Sequence, residues 1–281
     1  MEAPICPGKL EKLLVCTDGS EESRAALAEA LAMAKNCGSR VYLLQVVAII
    51  PEFESVAPDL MAQMAQEVRG QLEDTKAEAA QMGVTLEPRV VRSVSVFNAI
   101  LEEAEDIQPD MIVMGRYGRT GLDRLLMGSV TARVIGHSPF KVLIVPKGAT
   151  VSFDRILIAS DGSPSSQAAA QEALALARVR AGKLCAVSVA MEEGEIPRAQ
   201  EVIRLLMAEA NQAGVPFQGS LPQGQPADDG IIQAAIKNEV DLIVMGSHGR
   251  TGLKRLLMGS VTERVIGQAP CPVLVVKKKA G

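Results

Sequence analysis

Two segments of almost the same sequence decide the fold of this chain. Residues 115–136 read GRYGRTGLDRLLMGSVTARVIG, and residues 246–267 read GSHGRTGLKRLLMGSVTERVIG. They differ at four of 22 positions. The sequence VCTDGS at residues 15–20 is matched in the same way by IASDGS at residues 158–163. These matches indicate an internal repeat, so we interpret the chain as two copies of one unit in which corresponding residues have the same role.

Each copy alternates short apolar runs with helical periodicity. Residues 13–16 form an unbroken apolar run, which is typical of a strand buried on both faces of a parallel sheet. Ser20 is placed to cap the following helix and Gly38 to end it, and Pro164 and Gly182 are the corresponding signals in copy two. Strands that alternate with helices indicate right-handed crossovers, so we predict an α/β fold with a parallel sheet in each copy.

Length and composition agree with two domains and exclude several classes of protein. The 281 residues suit domains at 1–147 and 153–281 with a linker at about 148–152. A net charge of −4 and seven aromatic residues argue against a nucleic-acid partner. The longest apolar stretch is too short to span a membrane, and the first residues lack the order of a secretory signal. We therefore expect a cytoplasmic protein. Five scattered cysteines fit neither a disulfide framework nor a zinc cluster.

Glycines and a serine follow the fourth predicted strand of each copy with the same spacing. They are Gly115, Gly118, Gly128 and Ser129 in copy one and Gly246, Gly249, Gly259 and Ser260 in copy two. Glycine lets the backbone approach a ligand closely, and a helix that starts at the serine offers free N–H groups and the positive end of its dipole. The spacing, repeated after a strand, predicts a phosphate site in each copy.

The same residues also have a purely structural interpretation. Glycines after strands form turns, and Ser260-Val261-Thr262-Glu263 fits a capping box. The Asp-Gly-Ser sequence that follows the first strand also fits a turn in which the aspartate has no role in ligand binding. Arginines in polar loops are usually solvated rather than bound to phosphate. No P-loop or G-x-G dinucleotide fingerprint is present.

The pattern G-2x-G-9x-G-[ST] resembles the universal stress protein family in its tandem form, over nearly the whole chain. The resemblance implies two Rossmann-like, adenine nucleotide alpha hydrolase-like domains, each a five-stranded parallel sheet of order 3-2-1-4-5 with helices on both faces. It also implies an internal pseudo-dimer in which the halves pair edge to edge through the fifth strand. The implied ligand is ATP or AMP, with Mg²⁺ carried by the phosphates.

The resemblance assigns one nucleotide site to each half, which we name site one and site two. An aspartate at the end of the first strand would lie near the adenosine, and a valine after the second strand would lie against the adenine. Site one comprises Thr17, Asp18, Val46, Met114, Gly115, Gly118, Arg119, Gly128, Ser129 and Val130. Site two comprises Ser160, Asp161, Val189, Met245, Gly246, Gly249, Arg250, Gly259, Ser260 and Val261. No catalytic or metal-ligating residue is assigned.

Copy two is the closer match to the family pattern. It keeps the Gly-x-Pro that precedes the helix before the fourth strand, at residues 224–226, where copy one reads Val94-Ser95-Val96. His248 is expected beside the ligand rather than as a general base, because copy one has Tyr117 at that position.

The leading hypothesis is a stress-response protein that binds adenine nucleotide at two sites. Binding would tune its conformation, its assembly as a homodimer, or its affinity for an unknown protein partner. No catalytic base recurs in both copies, so an enzyme is the less favoured class. The alternatives are a slow ATPase or phosphotransferase and a nucleotide-independent dimerisation scaffold.

Overall fold

The computed structural model describes residues 10–49, 51, 58–118, 127–249 and 258–277. In copy one the strands are β1 (Lys12–Thr17), β2 (Arg40–Ala48), β3 (Leu86–Ser93), β4 (Met111–Gly115) and β5 (Lys141–Val145). Its helices are α1 (Glu21–Cys37), α2 (Pro58–Gln81), α3 (Val96–Ile107) and α4 (Ser129–His137). Strand and helix therefore alternate as the sequence predicts.

Copy two repeats this order with shorter strands. Its strands are β6 (Arg155–Ala159), β7 (Lys183–Val187), β8 (Phe217–Ser220), β9 (Leu242–Gly246) and β10 (Val273–Val276). Its helices are α5 (Pro164–Arg180), α6 (Ile196–Gln212), α7 (Ala227–Lys237) and α8 (Ser260–Gln268), with a 3₁₀ turn at Glu193–Glu195 before α6.

All ten strands form one sheet. Its order is β3-β2-β1-β4-β5-β10-β9-β6-β7-β8. Within each half the pairing is parallel and the order is 3-2-1-4-5, which confirms the predicted fold. The halves meet where β5 pairs antiparallel with β10, with Leu143 opposite Leu274. The two halves are thus joined edge to edge through their fifth strands.

The apolar strands bury side chains on both faces of this sheet. In β1, Leu13 and Val15 belong to the core cluster under α1, whereas Leu14 and Cys16 belong to the cluster on the opposite face. This alternation follows from the two-residue period of a strand. Each cluster takes residues from both halves, so the pseudo-dimer has a continuous core on each face.

Most predicted helix signals are confirmed, and one is wrong. The Ser20 hydroxyl accepts a hydrogen bond from Ser23 N at 3.2 Å, and Gly38 ends α1 with φ of 67°. At the end of α5, however, Ala181 and not Gly182 takes the left-handed conformation, with φ of 50°. A Cβ atom on Gly182 would lie 2.7 Å from the carbonyl oxygen of Phe153. Gly182 is therefore needed for close chain packing.

The segment between the halves is held by carboxylates. Asp241 accepts hydrogen bonds from Ser152 Oγ at 2.7 Å and from the backbone N–H groups of residues 153–155. Glu29 accepts from Val151 N at 2.9 Å. The chain that joins β5 to β6 is thus fastened to both halves.

The cysteines differ in state. Cys16, Cys185 and Cys271 are buried free thiols. Burial raises the pKa of Cys16 and of Cys271 to about 12 and also raises the pKa of Cys185. Cys37 is disulfide-bonded, which the spacing of the cysteines does not predict. Among the described residues, none of the helices is both long and apolar enough to cross a lipid bilayer.

Candidate functional site

Each candidate site lies at the carboxyl ends of the strands, where the strand order reverses. In copy two, β6 is flanked by β7 on one side and β9 on the other, so the loops after β6 and β9 face each other. This is the position at which open parallel sheets bind ligands. The same relation holds in copy one for β1, β2 and β4.

The glycines of the motif serve two different purposes. A Cβ atom on Gly249 would lie 2.8 Å from Asp161 Oδ2, and one on Gly118 would lie 2.8 Å from Asp18 Oδ2. These glycines let the loop approach the carboxylate of the opposite loop. A Cβ atom on Gly246 would instead lie 2.8 Å from the backbone of Ser165 in α5. Gly115 has the same relation to Glu22 in α1, so these two glycines serve helix packing.

The last glycine of each motif precedes a helix with an open N-terminus. Gly128 and Gly259 are the cap residues of α4 and α8, and no side chain of the described residues caps either helix. The alternative interpretation of Ser260 as the start of a capping box does not hold, because Ser260 lies inside the first turn rather than before it. Both Ser129 and Ser260 are exposed. The N–H groups of the first turn thus remain available to an anion.

In copy two these loops enclose a cavity of about 370 Å³. Its apolar wall is formed by Ala159, Val187, Val189, Met191, Ala227, Ile231, Met245 and Val261. The polar side chains and glycines that line it are Ser160, Asp161, Ser166, Glu195, Gly246, His248, Gly249, Gly259, Ser260, Thr262 and Arg264. The cavity therefore brings together every predicted site-two residue except Arg250, which lies outside the described residues.

The polar residues of this cavity are held in place by local hydrogen bonds. Asp161 Oδ1 accepts from Ser163 N at 3.0 Å, which is the turn role that the Asp-Gly-Ser sequence allows. Its other oxygen faces Gly249. Ser160 Oγ donates to Ser166 Oγ at 3.0 Å. One aspartate thus closes the turn and also presents an oxygen toward the facing loop.

Site one repeats this arrangement. Asp18 Oδ1 accepts from Ser20 N at 3.0 Å, and the Thr17 and Ser23 hydroxyls lie 3.0 Å apart. Val46 and Val130 pack against the core cluster that contains Met114. Arg119 lies outside the described residues. The described residues of site one therefore lie at one end of the sheet.

The two valines assigned to the adenine differ in position. Val189 follows β7 by two residues, as expected, but Val46 lies inside β2 and not after it. The reason is the length of the neighbouring strand, because β3 pairs with β2 as far as Ala48 opposite Ser93. In copy two, β8 is short and regular pairing stops at Val187 opposite Ser220.

The segments before α3 and α7 differ as the Gly-x-Pro comparison predicts. Gly224 has φ of 65°, which favours glycine, and its N–H donates to Ala190 O at 3.0 Å. Pro226 then precedes α7. In copy one, Ser95 caps α3 without a side-chain hydrogen bond, and Val94 is 70% exposed.

Several residues that line the cavity, Arg264 among them, are absent from the predicted site two. The Nε of Arg264 lies 2.9 Å from Asp228 Oδ2. The counterpart Arg133 instead lies over the ring of Phe97, 5.0 Å from its centroid. Two signals in the sequence point to Arg264. Residues 246–264 carry four basic residues against one acidic residue, and the residue 36 positions before the arginine is Asp228 in copy two but Phe97 in copy one.

The loop of site one also crosses to the other half. Arg116 Nη1 donates to Gly267 O at 3.1 Å, and Nη2 donates to Ala269 O. These carbonyls lie at the end of α8, the helix that begins in site two. In return, Lys277 Nζ donates to Gly136 O at 2.6 Å, and burial lowers the pKa of Lys277 to about 8.

The described residues contain no group of three His, Cys, Asp or Glu side chains that could hold a metal ion.

Comparison with known proteins gives a consistent relationship. The chain is 28% identical to a universal stress protein of Mycolicibacterium smegmatis over 291 residues, which covers 95% of this chain and 97% of that protein. A universal stress protein of Synechocystis is 26% identical over 287 residues, covering 94% and 99%.

Similarity in structure and in family pattern extends over both halves. The crystal structure of a universal stress protein from Archaeoglobus fulgidus matches the fold with a TM-score of 0.76 at 23% identity, covering 95% of this chain and 96% of that chain. The model of the universal stress protein family matches residues 9–146 and again residues 152–277. The chain therefore belongs to the universal stress protein family.

Proposed function

We propose that the protein binds an adenine nucleotide, ATP or AMP, at each of its two sites. Binding would tune conformation, assembly or contact with a protein partner during a stress response. The observation that carries this proposal is the site-two cavity, in which an uncapped helix N-terminus and an apolar wall face one space. The phosphates would bind at the helix N-terminus, and the adenine would lie against the apolar wall.

The phosphates would lie at the start of α8. The N–H groups of its first turn and the helix dipole favour negative charge, and Gly259 and Ser260 leave this end open. In site one, Gly128 and Ser129 at the start of α4 would serve the same purpose. Arg119 and Arg250 would add positive charge in the motif loops. Mg²⁺ would be held through the phosphates.

The adenosine would lie against the aliphatic wall. Val189, Ile231 and Met245 line the cavity, and no Phe, Tyr or Trp side chain of the described residues lines it. A volume of about 370 Å³ falls within the usual range for small-molecule pockets. The Asp161 oxygen that faces Gly249 would accept a hydrogen bond from the ribose.

Isothermal titration calorimetry with ATP and AMP, with and without Mg²⁺, tests this proposal. Two variants separate the sites, Ser129→Glu for site one and Ser260→Glu for site two. Both serines are exposed in a first helical turn, where a carboxylate suits the helix and repels phosphate. We expect each variant to lose one of two binding events, with affinity at that site reduced more than about tenfold.

The wild-type protein would overturn the proposal if it gave no binding heat with either nucleotide at millimolar concentration. Unchanged stoichiometry in both variants would place the nucleotide elsewhere. A circular dichroism melt of each variant serves as the folding control. We expect little change, because both substitutions are at exposed positions.

A further inference from the structure

An arginine occupies the equivalent position in each of the two sites. Arg133 and Arg264 lie four residues after Ser129 and Ser260, so each shares a helix face with its serine. Side chains on a helix lean toward its N-terminus. Arg264 lines the cavity one helical turn after the start of α8, where the proposed phosphates lie.

In site two the charge of this arginine is matched by a buried carboxylate. Arg264 Nε lies 2.9 Å from Asp228 Oδ2, and the Asp228 side chain is 7% exposed. Asp228 is the second residue of α7, where the helix dipole also favours a negative group. Its Oδ1 is buried and has no hydrogen-bond partner among the described residues. Arg264 is therefore the group that compensates this carboxylate.

In site one the corresponding position is aromatic. The Arg133 guanidinium carbon lies 5.0 Å from the centroid of Phe97, and the ring of Phe97 also packs against His137, 5.5 Å between centroids. A ring face attracts a cation but does not cancel its charge. Within the part of the chain that the structure describes, Arg133 has no carboxylate partner. Site one thus keeps a positive charge that site two neutralises.

We propose that Asp228 determines the phosphate preference of site two. By neutralising Arg264, Asp228 reduces the gain in binding affinity that each additional phosphate brings at site two. Site two therefore binds a nucleoside monophosphate nearly as tightly as a triphosphate. Site one, with Phe97 in place of Asp228, favours the triphosphate more strongly. This inference rests on the proposed function and adds a different ligand preference for each site.

The test is the ratio of ATP affinity to AMP affinity, measured by calorimetry in each isolated site. Site two is isolated with Ser129→Glu and site one with Ser260→Glu. In the first background, Asp228→Asn should raise the ratio by about three- to tenfold, the effect of one unit charge near partly solvated phosphates. In the second, Phe97→Asp should lower it by a similar factor. Because each comparison is made within one site, other differences between the copies cancel.

A matched control is provided by the next residue. Asp229 is exposed on the same helix, so Asp229→Asn makes the same change in charge away from Arg264 and should leave the ratio within about twofold. Arg264→Gln should lower the ratio, since it leaves the carboxylate uncompensated. A general loss of structure would instead weaken ATP and AMP equally.

The outcomes separate the two proposals. If ATP and AMP bind but Asp228→Asn changes both affinities equally, or changes the ratio no more than Asp229→Asn does, the role of Asp228 is overturned. If neither nucleotide binds the wild-type protein, the proposed function itself fails. An opposite shift of the ratio in Phe97→Asp would also contradict the inference.

Discussion

The two halves keep the same backbone scaffold but use different side chains around it. Both have a motif glycine on which a Cβ atom would lie 2.8 Å from an aspartate oxygen, and both have a helix with an uncapped N-terminus. In copy one, Arg116 reaches into the other half. In copy two its counterpart is Ser247, whose hydroxyl lies 3.2 Å from His248 Nδ1. Duplication has thus preserved the main-chain features that suit an anion, while the surrounding charges have diverged.

The largest effect is expected from the glycines that pack the helices. Gly246→Ala would place a Cβ atom 2.8 Å from the Ser165 backbone, where no flexible side chain can move away. We expect a loss of about 2–3 kcal/mol in the free energy of unfolding, typical of overpacking. Gly115→Ala in copy one should behave alike. Urea unfolding curves measure both, and a loss below about 0.5 kcal/mol would contradict this assignment.

A smaller effect, confined to one site, is expected from the glycines that face the aspartates. Gly249→Ala would bring a Cβ atom 2.8 Å from Asp161 Oδ2 and displace that carboxylate. Nucleotide affinity at site two should fall about tenfold, or about 1.4 kcal/mol, while site one is unchanged. Gly118→Ala is the equivalent experiment for site one. Calorimetry should show one weakened nucleotide-binding event in each variant. Equal weakening of both binding events would contradict the assignment of each glycine to its own site.

The contact between the halves gives an effect of similar size, but on the free energy of unfolding. Arg116→Ser installs the residue of copy two and removes hydrogen bonds to Gly267 and Ala269. We expect about 1.5 kcal/mol of destabilisation, the usual contribution of charged hydrogen bonds that are partly buried. Arg155→Ser is the control, because its pair with Glu239 is exposed and should contribute under about 0.5 kcal/mol. If urea unfolding gave equal losses of unfolding free energy for Arg116→Ser and Arg155→Ser, the contact between the halves would contribute no more than an exposed ion pair.

The smallest effect concerns Lys277. Burial lowers its pKa to about 8, whereas the unfolded chain keeps the usual value of 10.5. Between these values the unfolded state binds more protons, so stability should rise with pH from about 8 to 10.5. After solvent screening we expect a rise of about 1 kcal/mol that Lys277→Met abolishes. Unfolding at pH 7.5 and pH 10 measures it, with Lys35→Met at an exposed position as the control. A rise that persists in Lys277→Met would assign it to other groups.

The fold could be predicted in detail because its signals are local. The apolar run at residues 13–16, the cap at Ser20 and the stop at Gly38 each depend on a few neighbouring residues, and the structure confirms them. Predictions failed where a distant segment decides. Val46 lies inside β2 because β3 extends beside it, and Ala181 ends α5 because Gly182 must pass close to residue 153.

The candidate site was predictable to the extent that it depends on the backbone. Glycine spacing, strand ends and helix starts locate the loops, and the cavity in copy two brings the predicted residues together. Side chains from other elements were not predictable. The pairing of Asp228 with Arg264 joins the first turn of α7 to the middle of α8, and β9 and the motif loop lie between these two helices in the chain. No periodicity reports such a contact, and only comparison of the two copies draws attention to it.

Native mass spectrometry of the protein with excess ATP tests the central claim, that one chain carries two copies of one nucleotide site. The account predicts two nucleotides bound to the wild-type chain and one bound to each of Ser129→Glu and Ser260→Glu. A wild-type chain that binds no nucleotide, or variants that bind as many as the wild type, would contradict it.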